Sequence, residues 1–118
     1  MGIRELLGWQ WQGYTTYHHS RFNLLIHIVA VPLFLAGNIG LIAAIFKGAP
    51  WAAIVSLAAM VLSIAVQGRG HLAEAVPSVP FTSPANAVSR ILLEQWITFP
   101  RFVLSGGWLR ALRQQAQA

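Results

Sequence analysis

Two long apolar runs dominate the chain, and its polar side chains gather near their ends. The first run begins at Ser20 or Arg21 and continues to about Phe46; the second extends from Trp51 to Gln67. As a helix the first is roughly 37 Å long, enough to cross a bilayer with some tilt. The second lies at the lower limit for crossing, about 17 residues. Lys47-Gly48-Ala49-Pro50 between them reads as a compact turn, so the spacing predicts a hairpin with both polar clusters at its open end. Ser20 is a good N-cap. Pro32 predicts a kink, since it lacks a donor and crowds the preceding turn. Gly37 and Gly40 allow close helix packing, and Asn38 predicts a hydrogen bond between helices.

The flanks carry weaker patterns. Residues 3–17, with Trp9, Trp11, Tyr14 and Tyr17, predict a short interfacial helix weakened by Gly8 and Gly13. The prolines between Pro77 and Pro84 predict a surface loop or lid. Over 86–104, Val88, Ile91, Leu92, Trp96 and Phe99 recur at helical spacing, with Arg90 and Glu94 paired (i, i+4) elsewhere on the surface. Pro100 is expected to break this amphipathic helix. Its charges favour an interfacial or re-entrant segment over a third span. Leu109 to Ala118 reads as a short basic helix or a frayed end. No repeat or strand-like alternation is present. The expectation is an all-α membrane protein: one membrane-embedded domain over 1–118, a transmembrane helical hairpin with interfacial N-terminal and C-terminal helices.

Composition supports the bilayer as solvent. The chain has 118 residues, 56% hydrophobic and 9% charged, where a soluble domain carries about 25% charged residues. So short a chain has too little interior to bury that apolar surface alone. It has no cysteine, which excludes disulfides, thiolate metal sites and a Cys nucleophile. The net charge of +5 is scattered, not gathered into the stripe that nucleic-acid binding needs. No cleavable signal peptide is expected, because the first apolar run starts late and is too long. Arg4, Arg21, Arg69 and later arginines lie at the open end, against one Lys in the turn. The positive-inside rule then puts both termini and the polar clusters in the cytoplasm, at the inner membrane if the chain is bacterial.

Candidate chemistry lies in the histidines. His18, His19 and His27 bracket the start of the first run, and His71 with Glu74 follows the second. Ionisable groups near hydrocarbon are costly and mark function by default. Asn23 and His27 share a helix face, but His19 and His27 are two turns (roughly 12 Å) apart. His18 joins His27 only if the helix starts after it, which Ser20 allows. His71 and Glu74 are spaced i, i+3, as in metal-binding bundles, with Gln67 one turn earlier. Imidazoles and a carboxylate can hold Fe(II) with positions open for dioxygen and substrate. Asn23 and Gln67 suit supporting hydrogen bonds that fix imidazole tautomers. Two axial histidines could instead bind haem. One metal or two stays open, with His18, His19, His27, His71 and Glu74 all available. Ser20 and Ser63 lack partners for nucleophilic catalysis, and Gly68-Arg69-Gly70 is too short for a phosphate loop.

The same residues resemble a known family. His18, Asn23 and His27, followed by Pro32, fill an H-x4-N-x3-H signature, and Gln67, Gly70, His71 and Glu74 fill Q-x-x-G-H-x-x-E. These signatures are similar to those of the 2-hydroxy fatty acid dioxygenases of fungal α-oxidation and their bacterial relatives. Phe99-Pro100-Arg101-Phe102 also looks like that family's C-terminal region, so the likeness covers roughly residues 14–104. It implies a membrane-embedded Fe(II) enzyme that uses dioxygen to shorten a 2-hydroxy fatty acid by one carbon. It selects His18 over His19, beside His27 and His71, with Glu74 as a fourth ligand or a base. The substrate is expected to meet the iron through its hydroxyl and carboxylate, its tail between the spans or in lipid, and Arg69 to pair with the carboxylate or to anchor at the interface. Two departures stand out: room for one hairpin only, and extra prolines after Glu74. The competing expectation is a non-enzymatic small membrane protein, a haem-binding subunit or an assembly factor. Gly37 and Gly40 also suit pairing of the chain with itself.

Overall fold

Ser20 sets the first boundary. Its backbone is extended and its Oγ accepts the Asn23 N–H at 3.3 Å, satisfying one of the donors a helix start leaves unpaired. The computed structural model describes residues 1–117. Helix α1 covers Ile3–Tyr17 and α2 covers Arg21–Lys47, with His18 between them at φ −135°, ψ 74°. Helix α2 passes through Pro32 and ends at Gly48 (φ +61°), where the Ala49 N–H reaches the Ala44 carbonyl at 2.9 Å. That left-handed turn suits glycine. Pro50 then opens α3, Pro50–His71.

Helix α3 is longer than its apolar run predicts, continuing past Gln67 to about 33 Å. It lies antiparallel to α2, and small residues mark the close approaches. A β-carbon on Gly37 would sit 2.7 Å from Met60 Cγ and 2.9 Å from the Ser56 carbonyl oxygen. One on Gly40 would meet Ser56, and one on Gly70 would meet Asn23. Ser63 donates its hydroxyl to the Ala30 carbonyl across the pair. Gly37 and Gly40 therefore serve the close helix packing expected of them, between α2 and α3. Both helices are long and apolar enough to cross a membrane. Val29, Ile39, Ile42 and Phe46 of α2, and Ile54, Val55 and Val61 of α3, are exposed.

An irregular segment, 72–83, leads to α4, Pro84–Leu93, which is capped by Ser83 (Asn86 N–H to Ser83 Oγ, 3.0 Å). A π-helical turn, Glu94–Thr98, joins α4 to α5, Phe99–Leu104. The helix does not break at Pro100 as expected. The wider π turn absorbs the missing donor and the ring, and Pro100 sits in the first turn of α5. Gly106 (φ +83°) turns the chain into α6, Gly107–Gln117. Ala118, the end of the predicted tail, lies outside the described residues.

The core gathers where α1, α2, α5 and α6 meet: Tyr14, Leu24, Val31, Phe99, Phe102 and Ala111. Polar ties fix the π turn over α1 and α2. Gln10 donates to the Arg90 carbonyl at 2.8 Å and accepts from Thr98 at 2.7 Å. Trp96 Nε1 donates to Asn38 Oδ1 at 3.2 Å, so Asn38 does make a bond between elements. Every regular element among the described residues is helical.

Gly37→Ala should lower stability by about 1–3 kcal/mol, because a backbone oxygen blocks its β-carbon. Gly68→Ala, whose β-carbon meets nothing within 4 Å, should be neutral or slightly stabilising. Thermal unfolding of the two variants in one detergent checks the contrast.

Candidate metal centre

The break after α1 brings His18 round to face α2 and α3. His18 Nδ1 pairs with the Tyr14 carbonyl and His27 Nδ1 with the Asn23 carbonyl, each at 3.0 Å. As donors at Nδ1, both rings keep their Nε2 lone pairs free for a ligand. His71 joins them from the last turn of α3. The ring centroids of His18, His27 and His71 are 4.6 to 5.0 Å apart, with mutual interplanar angles of 82 to 86°.

The fourth member is Glu94, on the π turn. Its Oε2 lies 3.0 Å from His18 Nε2 and 3.8 Å from His27 Nε2, and accepts the Tyr14 hydroxyl at 2.8 Å. One ligand atom from each of His18, His27, His71 and Glu94 falls within 4.8 Å of the others, so the group could hold a metal ion. His18 Nε2, His27 Nε2 and His71 Nδ1 are buried with no hydrogen-bond partner. His18 Nε2 is near the carboxylate yet not aligned to bond it, as when two ligand atoms aim at a shared point. Spacings of 3.0 and 3.8 Å also suit neighbouring ligands around one ion with bonds of about 2.0–2.2 Å. The donor set therefore fits a cation.

Electrostatics keep the donor pattern intact. Burial alone would raise the Glu94 pKa, but His18, His27 and the Tyr14 hydroxyl outweigh it and hold it down at about 2. Burial first, and then the Glu94 charge, push the Tyr14 phenol well above its usual range. Tyr14 thus stays a donor to an ionised Glu94.

Several predicted residues fall elsewhere. Glu74 is not in the cluster. Helix α3 ends at His71, so the i, i+3 geometry is lost, and the Glu74 carboxylate turns to the start of α2. There it accepts the His19 and Ser20 N–H groups at 3.0 Å each and Asn23 Nδ2 at 2.8 Å. His19 is exposed and outside the cluster. Asn23 orients His27 through its backbone carbonyl, not its amide. Gln67 pairs with Gln95 instead of an imidazole, each amide donating to the other at 2.8 Å. Arg69 is exposed and does not line the adjoining cavity, whereas Arg90 does. Glu94 itself was assigned to the outer surface with Arg90. The π turn instead carries it inward, while Arg90 lies over Trp9 and Phe81. The signal was available: the chain has only three acidic residues, and Glu94-Gln95 interrupts an apolar stretch.

A cavity of about 780 Å³ opens beside His18, His71 and Glu94. Its walls include Trp9, Ile64, Pro77, Val79, Phe81 and Ile91. Comparison with family models, with curated proteins and with solved structures finds no match to this chain.

Metal analysis after anaerobic supply of Fe(II) should give near-stoichiometric ion in the wild type and at least tenfold less in His71→Ala and Glu94→Ala. His19→Ala and Glu74→Gln should keep the ion, with Glu74→Gln losing about 1–3 kcal/mol of stability as one acceptor oxygen is replaced by an NH2 facing the helix-start donors. Equal loss in all four would refute the assignment. Because the folded carboxyl of Glu94 titrates at about 2, against an ordinary 4.5, its stabilisation is present above the ordinary value and fades as pH falls from about 4.5 toward about 2. The thermal midpoint of chelator-treated wild type should therefore approach that of Glu94→Gln over that window.

Proposed function

We propose that the chain is a multi-pass membrane protein and a non-haem Fe(II)-dependent dioxygenase that shortens 2-hydroxy fatty acids by one carbon. The observation that carries this reading is the His18–His27–His71–Glu94 cluster opening onto an apolar cavity at one end of two long apolar helices. Resemblance to the 2-hydroxy fatty acid dioxygenases supplies the substrate class, with Glu94 and not Glu74 as the carboxylate beside the histidines.

The bilayer accounts for the exposure of α2 and α3. Only 28% and 11% of their most apolar windows is buried by protein, unlike the core helices of a soluble fold. The hairpin then spans the membrane, α1 and α4 to α6 lie at the interface, and the arginine-rich end faces the cytoplasm.

Fe(II) bound there would supply one-electron chemistry with dioxygen and Lewis acidity toward a hydroxyl and carboxylate. The rest falls to the chain. His18, His27, His71 and Glu94 hold the ion, and the Tyr14 and Asn23 carbonyls keep two rings in the required tautomer. Tyr14 holds Glu94 in place by its hydroxyl. Trp9, Val79, Phe81 and Ile91 exclude water from the substrate's tail. Glu74, engaged by three donors at the start of α2, lies outside the cluster. The three rings stand within 5.0 Å of one another, crowded around one point. That spacing favours an ion over haem held between two axial rings.

Oxygen uptake by the iron-loaded protein should depend on a 2-hydroxy fatty acid and fall at least a hundredfold in His71→Ala. Product analysis should find the acid one carbon shorter. Stoichiometric iron without substrate-dependent uptake would reject the dioxygenase reading, and a Soret band in the purified protein would replace it with a haem subunit.

A further inference from the structure

The metal reading uses the polar end of the cavity and leaves one wall unexplained. Gly68 lines that wall on α3 and is exposed. No unusual backbone conformation requires a glycine there, since among the described residues positive φ occurs only at Gly48 and Gly106. Nor does packing: a β-carbon on Gly68 meets nothing within 4 Å, whereas one on Gly70 would lie 2.5 Å from Asn23 Oδ1. A glycine inside a helix costs about 1 kcal/mol relative to alanine. Here it leaves a notch between Ile64 and Leu72, one turn before and one turn after, which line the same cavity.

Outside the notch, the surface of α3 is apolar: Val61 is 64% and Leu72 79% exposed. Inside, the opposite wall is the proline-rich segment, held by Arg90. That guanidinium donates to the carbonyls of Val79 at 2.8 Å and Pro80 at 3.2 Å and lies 4.4 Å from the Phe81 ring centre. Gly68 is thus at once exposed, open where a side chain would stand, and part of the wall of a cavity that His18 and His71 also line. About 780 Å³ is the size of a site for one small ligand. An apolar passage ending at the imidazole–carboxylate cluster, which would carry positive charge once an ion is held there, matches a single-chain amphiphile with an acidic head.

We propose that this cavity is an acyl-chain site reached sideways from the lipid through the notch at Gly68, and that Gly68 determines which chain lengths are admitted. The inference deepens the function proposed above, on the side of the tail. It stands on the cavity and notch, and its test does not require turnover.

The experiment labels the full chain in phosphatidylcholine nanodiscs with a diazirine-bearing hexadecanoic acid and maps the adducts by mass spectrometry. Adducts are expected within residues 64–81, competed by unlabelled 2-hydroxyhexadecanoic acid and not by 2-hydroxybutanoic acid. Gly68→Leu should reduce them about tenfold or more, with metal content and thermal midpoint unchanged. Ile64→Trp, which narrows the notch from the preceding turn, should do the same and covers the case in which Gly68→Leu misfolds. Undiminished labelling in both variants, or adducts spread over outward residues such as Ile39 and Ile54, would overturn the inference. Cavity labelling without substrate-dependent oxygen uptake would sustain it while rejecting the dioxygenase reading.

Discussion

The cluster depends on the helix break between Tyr17 and Arg21. On one unbroken helix, His18 and His27 would point to opposite sides, half a turn apart. The break turns His18 back so that its ring stacks on Tyr14, 3.7 Å between centroids, and faces His27 and His71. Such a break leaves backbone donors unpaired in a partly buried place, where each would cost up to about 1–3 kcal/mol. Glu74 accepts two of those donors and the Asn23 amide together, and its charge suits the positive end of α2. Glu74 therefore shapes the site without entering it. The carboxylate three residues after His71 belongs to the scaffold of the opposite helix.

The second constraint is the π turn. Pro100 removes a donor from a continuous helix, and the extra residue in Glu94–Thr98 accommodates it. The turn also brings Glu94, Gln95 and Thr98 inward together. Glu94 reaches the imidazoles, Gln95 closes a reciprocal amide pair with Gln67, and Thr98 bonds Gln10. These bonds tie the turn to α3 and α1. Glu94 is consequently held by neighbours on both sides, so its carboxylate is positioned by the fold before any ligand binds.

How much of this was legible in the sequence follows from the range of the interactions involved. The start of α2 was readable because capping is local: Ser20 bonds its own helix three residues on. The two apolar helices were readable because their composition is extreme. Their packing face was half readable, since Gly37 and Gly40 announce close contact but not whether the partner is α3 or another chain. Glu94 was hidden. Arg90 four residues earlier offered a ready surface ion pair, and only the distant contact of the π turn with α1 and α2 turns the carboxylate inward. Glu74 misled for a similar reason, because the spacing argument assumed that α3 continued beyond His71. Gly68 carried no signal beside Gly70, as what separates them is the Asn23 side chain on another helix.

The ligands come from the α1–α2 break, from α2, from α3 and from the π turn, so no short piece of chain can assemble them. Three buried imidazole nitrogens have no hydrogen-bond partners of their own, and two of them, on His18 and His27, lie 3.0 and 3.8 Å from Glu94, an arrangement that works against stability in a polypeptide alone. A cation would reverse that balance by satisfying these nitrogens and Glu94 together. Its affinity and the stability of the fold are then two sides of one linkage. Because the Glu74 clamp and the Gln67–Gln95 pair are made entirely by the chain, most of the ordering precedes binding. The geometry accordingly argues for a preformed cluster that an ion would strengthen, set at one end of two long apolar helices.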